Sequence, residues 1–278
     1  MKVRFAKMHG AGNDFVMIDD RDGRMPTDAA SIAALAARRT GIGCEGVILV
    51  QRSDCADFRM RFFNPDGGEA EMCGNGARCV AAFALAVGAA KNAKMTFETL
   101  AGRVRAEVVD DATVKIFLPD PKDLRDDFVN SGVPHRIVPV ADVAAADVEG
   151  EGRRIRYSAE FAPAGTNVDF VAYAPPHDAA MRTYERGVEA ESGACGTGAV
   201  AAAVVGVARH GMSFPVRIRT QGGHELVVDG VRGEDGSFRA VSLTGPVAWV
   251  FEGTVGCNLP IAFGVDKASQ PERTGDLP

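Results

Sequence analysis

The chain has 278 residues, 46% of them hydrophobic and 24% charged, with a formal net charge of −6. That length fits one large domain or two ordinary ones, and the acidic balance argues against nucleic acid as the main partner, because phosphate binding needs a basic surface. No apolar run approaches the roughly 18 residues of a membrane span, and the opening MKVRFAKMHG carries no apolar signal core; the expectation is a cytoplasmic protein with no membrane partner and reduced thiols.

In chain order, Val47–Val50 and Phe58–Phe63 read as strands. Met72-Cys73-Gly74-Asn75-Gly76-Ala77 then opens an alanine-rich run to Gly88, with a helix predicted over Ala77–Val87. Met95–Thr99, a turn at Ala101-Gly102, Arg103–Val109 and Val114–Leu118 continue as strands up to Pro119-Asp120-Pro121. Arg136–Val140 and Val168–Tyr173 are β-like. Ala194-Cys195-Gly196-Thr197-Gly198-Ala199 opens a second alanine-rich run to Gly211, with a helix over Ala199–Arg209. Val216–Thr220, a turn at Gly222-Gly223, Glu225–Val228 and Val241–Leu243 follow.

Strand, Cys-Gly-x-Gly, helix, strand, glycine turn, strand therefore occurs twice, the mark of an internal duplication. Both helices are apolar around most of their circumference, and such a helix needs cover on several sides. The expected architecture is α+β: two pseudo-symmetric halves, each a mixed sheet wrapped around a central helix. Residues 1–119 form the half with Cys73, joined by a returning strand over 250–264. Residues 120–249 form the half with Cys195, and 265–278 form a loose tail.

The repeated motif carries chemistry. The first amides of a helix have no intrahelical partner and, with the macrodipole, welcome a carboxylate. The same position favours a thiolate. Two thiols facing one cleft from two helix starts suit inversion at a stereocentre: a base removes the α-proton from one face and an acid protonates the other, while the amides stabilise charge on the carboxylate. The chain shows no nucleotide fingerprint, since Gly10-Ala11-Gly12 lacks a third glycine, and no cofactor is called for. Six cysteines (Cys44, Cys55, Cys73, Cys79, Cys195, Cys257) and five histidines include no CxxC pair and no zinc-ligand spacing, so no metal is expected. The bland alternative, small residues that merely let a buried helix pack, accounts for the glycines but not for a cysteine opening the motif both times.

With these motifs the sequence resembles the diaminopimelate epimerase family from Phe5 to about Gly253. The specific stretches are Lys7-Met8-His9-Gly10-Ala11-Gly12-Asn13-Asp14-Phe15, Phe63-Asn64-Pro65-Asp66-Gly67, Cys73-Gly74-Asn75-Gly76-Ala77-Arg78-Cys79, Gly132-Val133-Pro134-His135, Gly165-Thr166-Asn167-Val168-Asp169-Phe170, and Tyr184-Glu185-Arg186-Gly187 through Ala194-Cys195-Gly196-Thr197-Gly198. The resemblance implies conversion of LL-2,6-diaminopimelate to the meso form, in lysine and peptidoglycan precursor synthesis, by a cofactor-free homodimer. It implies Cys73 and Cys195 as the acid–base pair and His135 and Glu185 as modulators of thiol pKa. Asn13, Asn64, Gly74, Asn75, Asn167, Glu185, Arg186, Gly196 and Thr197 are implied to bind the amino-acid substrate.

Read without the resemblance, Asn64 is a turn former and Glu185-Arg186 a solvated pair. Val133 stands where many family members have asparagine, and Gly46 where some have glutamine. Both departures bear on substrate choice. The alternatives are a related racemase for proline, hydroxyproline or histidine, a thiol redox protein, and a non-catalytic binding module.

Overall fold

The computed structural model describes residues 2–256; the expected tail and the far end of the returning strand lie outside them. The first half begins with strands β1 (Lys2–Gly10) and β2 (Asn13–Asp19), helix α1 (Ala29–Ala36), and strands β3 (Gly46–Gln51), β4 (Phe58–Phe63) and β5 (Glu69–Ala70). Helix α2 (Gly74–Ala86) and strands β6 (Lys94–Thr99), β7 (Gly102–Asp110) and β8 (Thr113–Phe117) complete it. The second half runs β9 (Lys122–Arg125), β10 (Phe128–Asn130), β11 (Pro134–Pro139), α3 (Val148–Arg156), β12 (Asn167–Ala174), β13 (Asp178–Glu185) and β14 (Ala190–Ser192). It continues with α4 (Gly196–Arg209), β15 (Val216–Arg219), β16 (Glu225–Arg232) and β17 (Phe238–Gly256).

The duplication extends to the hydrogen-bond ladders. In the first half β1 pairs antiparallel with β2, β2 parallel with β3, β3 antiparallel with β4, β4 with β5 and in parallel with β6, then β6–β7–β8 antiparallel. In the second half β10–β11, β11–β12, β12–β13, β13–β14, β13–β15 and β15–β16–β17 repeat that series with the same senses. A parallel neighbour needs a crossover, usually helical, and α1 and α3 are the crossovers before β3 and β12. β17 serves both halves: it pairs with β16 and β8 near its start, and residues 247–256 pair with β1. The first-half ladder thereby closes into a ring around α2.

Helix cover explains the strand sequences. β3, Gly-Val-Ile-Leu-Val-Gln, is apolar without alternation because both its faces are covered. Ile48 and Val50 face α2, while Val47 and Leu49 face α1 with Ile32 and Leu35. Each such fully buried side chain contributes about 1.5–3 kcal/mol. Left-handed glycines, Gly88 at φ 68° and Gly211 at φ 70°, stop α2 and α4. Both helices begin three residues earlier than their apolar runs suggest, with Cys73 and Cys195 as N-caps.

Candidate active site

The two N-caps are conformational copies: Cys73 at φ −128°, ψ 124° and Cys195 at φ −112°, ψ 111°. Neither thiol caps its helix in the usual way, by accepting the bond that a serine or aspartate would take. The motif glycines have helical backbones and serve close approach. A Cβ on Gly76 would lie 2.8 Å from Ile48 Cδ1, and one on Gly198 would overlap the Asp169 carboxylate. A Cβ on Gly196 would come to 4.0 Å from Gly74 Cα, so the two helix starts abut where the halves meet. Asn75 Nδ2 bridges that junction, donating to Ala194 O at 3.3 Å and to Asn13 Oδ1 at 3.5 Å. The Cys73 thiol donates to the same Asn13 oxygen at 3.6 Å.

Burial pushes both thiols up, Cys195 well above the ordinary cysteine range. The amides of Gly76 and Asn75 at Cys73, and of Gly198 at Cys195, pull down but do not win. This reverses the expectation that a helix start yields a thiolate: desolvation of the anion outweighs a few aligned amides. Glu185 is near enough to raise both thiols and is itself raised by burial, with the Ser192 hydroxyl and His135 pulling the other way. A neutral thiol alkylates slowly. Iodoacetamide labelling of Cys73 and Cys195, resolved by peptide mass spectrometry, is therefore expected to rise with pH past the midpoint of free cysteine, about pH 8.5. Labelling complete at neutral pH would contradict this electrostatic picture.

Cys195 is backed by a polar chain. Its sulfur lies 3.5 Å from Thr197 Oγ1, which lies 3.0 Å from His135 Nε2; His135 Nδ1 lies 2.7 Å from Asp169 Oδ2. His135 and Asp169 are both 0% exposed. Thr183 Oγ1 donates to the other Asp169 oxygen at 2.8 Å. A charged Asp169 fixes the imidazole proton on Nδ1, leaving Nε2 to accept. Thr197 then donates to His135 and accepts from the Cys195 thiol, a route by which that thiol's proton can leave.

The duplication supplies an internal comparison. His135 pairs with Asn167 and Ile137 with Asp169 across β11–β12; Phe15 pairs with Gly46 and Met17 with Ile48 across β2–β3. His135 and Asp169 thus occupy the places of Phe15 and Ile48, and Gly198 leans on Asp169 as Gly76 leans on Ile48. Among the described residues, only the Cys195 half carries the relay.

Of the residues singled out in the sequence, Cys73, Cys195, Asn13, Gly74, Asn75, His135, Asn167, Glu185, Gly196 and Thr197 come together around this junction. Asn167 Nδ2 donates to Pro134 O at 3.0 Å, and its Oδ1 accepts from the Arg186 backbone at 2.8 Å. Arg186 sits at the margin, its guanidinium toward Ala164 O at 3.5 Å. Asn64 is exposed in the turn that follows β4, closed by Asn64 N to Gly68 O at 2.8 Å, the role its composition predicts. Sequence reasoning missed Asp169, Arg78 and Glu45. Asp169 shares a strand face with Asn167 by its two-residue offset. Arg78 is the one charged residue of α2, and Glu45 accepts from Asn13 Nδ2. The pocket of about 310 Å³ between β11 and α3 is on an outer face and contains none of the thiol-site residues.

Solved structures share this fold. A Bacillus anthracis phenazine biosynthesis protein of the PhzF family superposes with a TM-score of 0.71 at 17% identity, covering 92% of this chain and 99% of that one. A hydroxyproline epimerase from Agrobacterium vitis superposes with a TM-score of 0.64 at 17% identity, covering 93% and 94%. The architecture therefore belongs to a fold class that holds PhzF proteins and amino-acid epimerases. Sequence similarity narrows the class. The family model described as diaminopimelate epimerase matches residues 5–121 and 128–250. Diaminopimelate epimerases of Aquifex aeolicus and Chlorobaculum tepidum are 43% and 40% identical, over 90% and 89% of this chain and 97% and 99% of theirs. The chain belongs to the diaminopimelate epimerase family, a family of isomerases.

Proposed function

We propose that the protein interconverts LL- and meso-2,6-diaminopimelate by two-thiol acid–base chemistry without a cofactor. The observation that carries this reading is the pair of cysteine N-caps at abutting helix starts. In the LL direction one thiolate takes the α-proton while the opposing thiol protonates the other face. The amides of Gly74, Asn75, Gly196 and Thr197 receive the reacting carboxylate, where charge develops as the carbanion forms. Both thiols are held neutral by burial in the free protein, so one must lose its proton as substrate enters. The ammonium groups of diaminopimelate bring the positive charge that favours this, and the Thr197–His135–Asp169 chain gives the Cys195 proton a path. Glu185, facing both sulfurs, resists a second ionisation and keeps one thiol as the acid.

The distal end of the substrate falls to Arg186, Asn64, Asn167 and Glu185, with Arg186 on the distal carboxylate. By the same resemblance the enzyme is a cytoplasmic homodimer acting in lysine and peptidoglycan precursor synthesis. Arg186→Ala is expected to raise KM for diaminopimelate sharply and to lower kcat, a loss in kcat/KM of about 1.5–3 kcal/mol, because distal binding orients the reacting carbon. Val133→Asn is expected to be mild. Incubation with LL-diaminopimelate in deuterated water, following stereochemistry and α-deuterium together, tests the assignment. Preference of the enzyme for proline, hydroxyproline or histidine, with Arg186→Ala neutral, would replace the substrate and leave the two thiols in place.

A further inference from the structure

Arg78 is the feature of the site region that the two-thiol chemistry does not use. It is 0% exposed, on the first turns of α2, five residues after Cys73. Its Nη2 donates to Asn75 Oδ1 at 2.7 Å and its Nη1 to Gly74 O at 3.4 Å, while its Nε has no partner. The ionisable groups it faces are the thiols of Cys73 and Cys79; no carboxylate among the described residues pairs with it. An unpaired buried charge costs several kcal/mol. The duplication sharpens the anomaly: counting from each cysteine, the residue matching Arg78 is Val200, fully buried and apolar. The fold therefore does not require a cation here. The strand opposite nonetheless makes room for it, since a Cβ on Gly245 of β17 would lie 3.1 Å from Arg78 Nε and 3.2 Å from its Cζ.

The bond to Asn75 explains what the cation accomplishes. A side-chain amide has one acceptor end and one donor end. Because Arg78 occupies the Asn75 oxygen, the Asn75 nitrogen must point the other way, toward Asn13 and Ala194. That nitrogen ties the start of α2 to the residue before Cys195, and it tethers the Asn13 oxygen that receives the Cys73 thiol. Reversed, the amide would set its oxygen against the Ala194 carbonyl.

We propose that Arg78 is a positioning residue for the Cys73 side of the site: through Asn75 it fixes the relation of the two helix starts, and its uncompensated charge supports the Cys73 thiolate. The proposal rests on the two-thiol reading. The two halves then serve their thiols by different means, a proton relay that ends on the Asp169 carboxylate at Cys195 and a buried cation at Cys73. The other groups that face Cys73 are Glu185 from β13, which opposes its ionisation, and the amides of Asn75 and Gly76, which favour it.

The test compares wild type, Arg78→Met and Arg78→Lys by peptide-resolved iodoacetamide labelling against pH, by kcat and KM on LL-diaminopimelate, and by Tm. In Arg78→Met the labelling midpoint of Cys73 is expected to move up while that of Cys195 stays. kcat is expected to fall roughly tenfold or more with KM within about threefold of wild type. Arg78→Lys keeps the charge but not the fork, so it should restore much of the Cys73 midpoint and little of kcat. A lowered Tm with unchanged Cys73 labelling and kcat would overturn the proposal and leave Arg78 a packing residue. If Arg78→Met does not fold, Arg78→Lys carries the test, because it keeps the charge without the fork that holds Asn75, and a kcat equal to that of wild type there overturns the proposal equally. Labelling needs no substrate, so it decides the role of Arg78 even if wild type fails to epimerise diaminopimelate, the result that would sink the functional reading instead.

Discussion

Cys73→Ala and Cys195→Ala are each expected to abolish inversion of diaminopimelate, lowering kcat/KM by about 10²–10⁴-fold or more, with the fold intact by circular dichroism and Tm. The size follows from the loss of a whole acid or base from a reaction that needs one on each face of the carbon. Both sulfurs sit at N-caps and neither caps its helix, so removing one costs little secondary structure. Serine is a far weaker base at neutral pH, and the two Cys→Ser proteins should be nearly as impaired. In deuterated water the single-thiol proteins separate two events: the surviving thiol can still exchange an α-proton on its own face, yet no stereochemical change should accompany the exchange. Full turnover by either alanine variant would end the two-thiol mechanism.

Asp169→Asn is the second large effect expected. The carboxylate holds the proton of His135 on Nδ1 from 2.7 Å, and that tautomer leaves Nε2 free to accept through Thr197. An asparagine can present its NH₂ group to the ring instead and reverse the tautomer, turning the acceptor at the end of the relay into a donor. kcat should fall by roughly 10²-fold, in the range of a disabled general base. Labelling should move the opposite way. Asp169 is among the groups that raise the Cys195 thiol, so its neutralisation lowers the midpoint of Cys195 while burial keeps it above that of free cysteine. Cys73 should not change. A thiol that ionises more readily in a slower enzyme would separate the relay from simple acidity, whereas unchanged kcat would remove His135 and Asp169 from the chemistry. Asp169→Ala is the less informative variant, because breaking a buried pair costs about 3–5 kcal/mol of stability.

The duplication was legible because the cysteine motif and the turn glycines are local signals. The parts that escaped are those set by partners distant in sequence. Helix α3, Val-Glu-Gly-Glu-Gly-Arg-Arg-Ile-Arg, holds two glycines and little apolar surface. It forms because Val148 and Ile155 pack on Val168, Phe170 and Tyr184, and because Gly152 lets the helix approach Tyr184 Cβ, 2.6 Å from where a side chain would begin. The starts of α2 and α4 were placed late because two glycines read as a turn, whereas here they are tolerated in the first helical turn for the close contacts they permit. Asp169 was quoted in a motif yet given no role, since its meeting with His135 across 34 residues depends on a strand register that no local pattern states. Electrostatics was the least legible. A helix start is visible in sequence, but the burial that reverses its effect on the thiols is a property of the assembled junction.

Strand β17 also bears on how the protein is made. The first ring of strands opens with Lys2 and closes only when Gly256 reaches it. At ~5–20 residues per second, the ribosome separates those two events by on the order of tens of seconds. Throughout that interval β1 has β2 on one side and an open edge on the other, the kind of surface that recruits foreign strands. The cell must therefore shelter a nearly finished half-ring while the whole second half is synthesised. A chain cut short at residue 246 would keep both thiols and every residue around them, and would lack the strand that seals the edge.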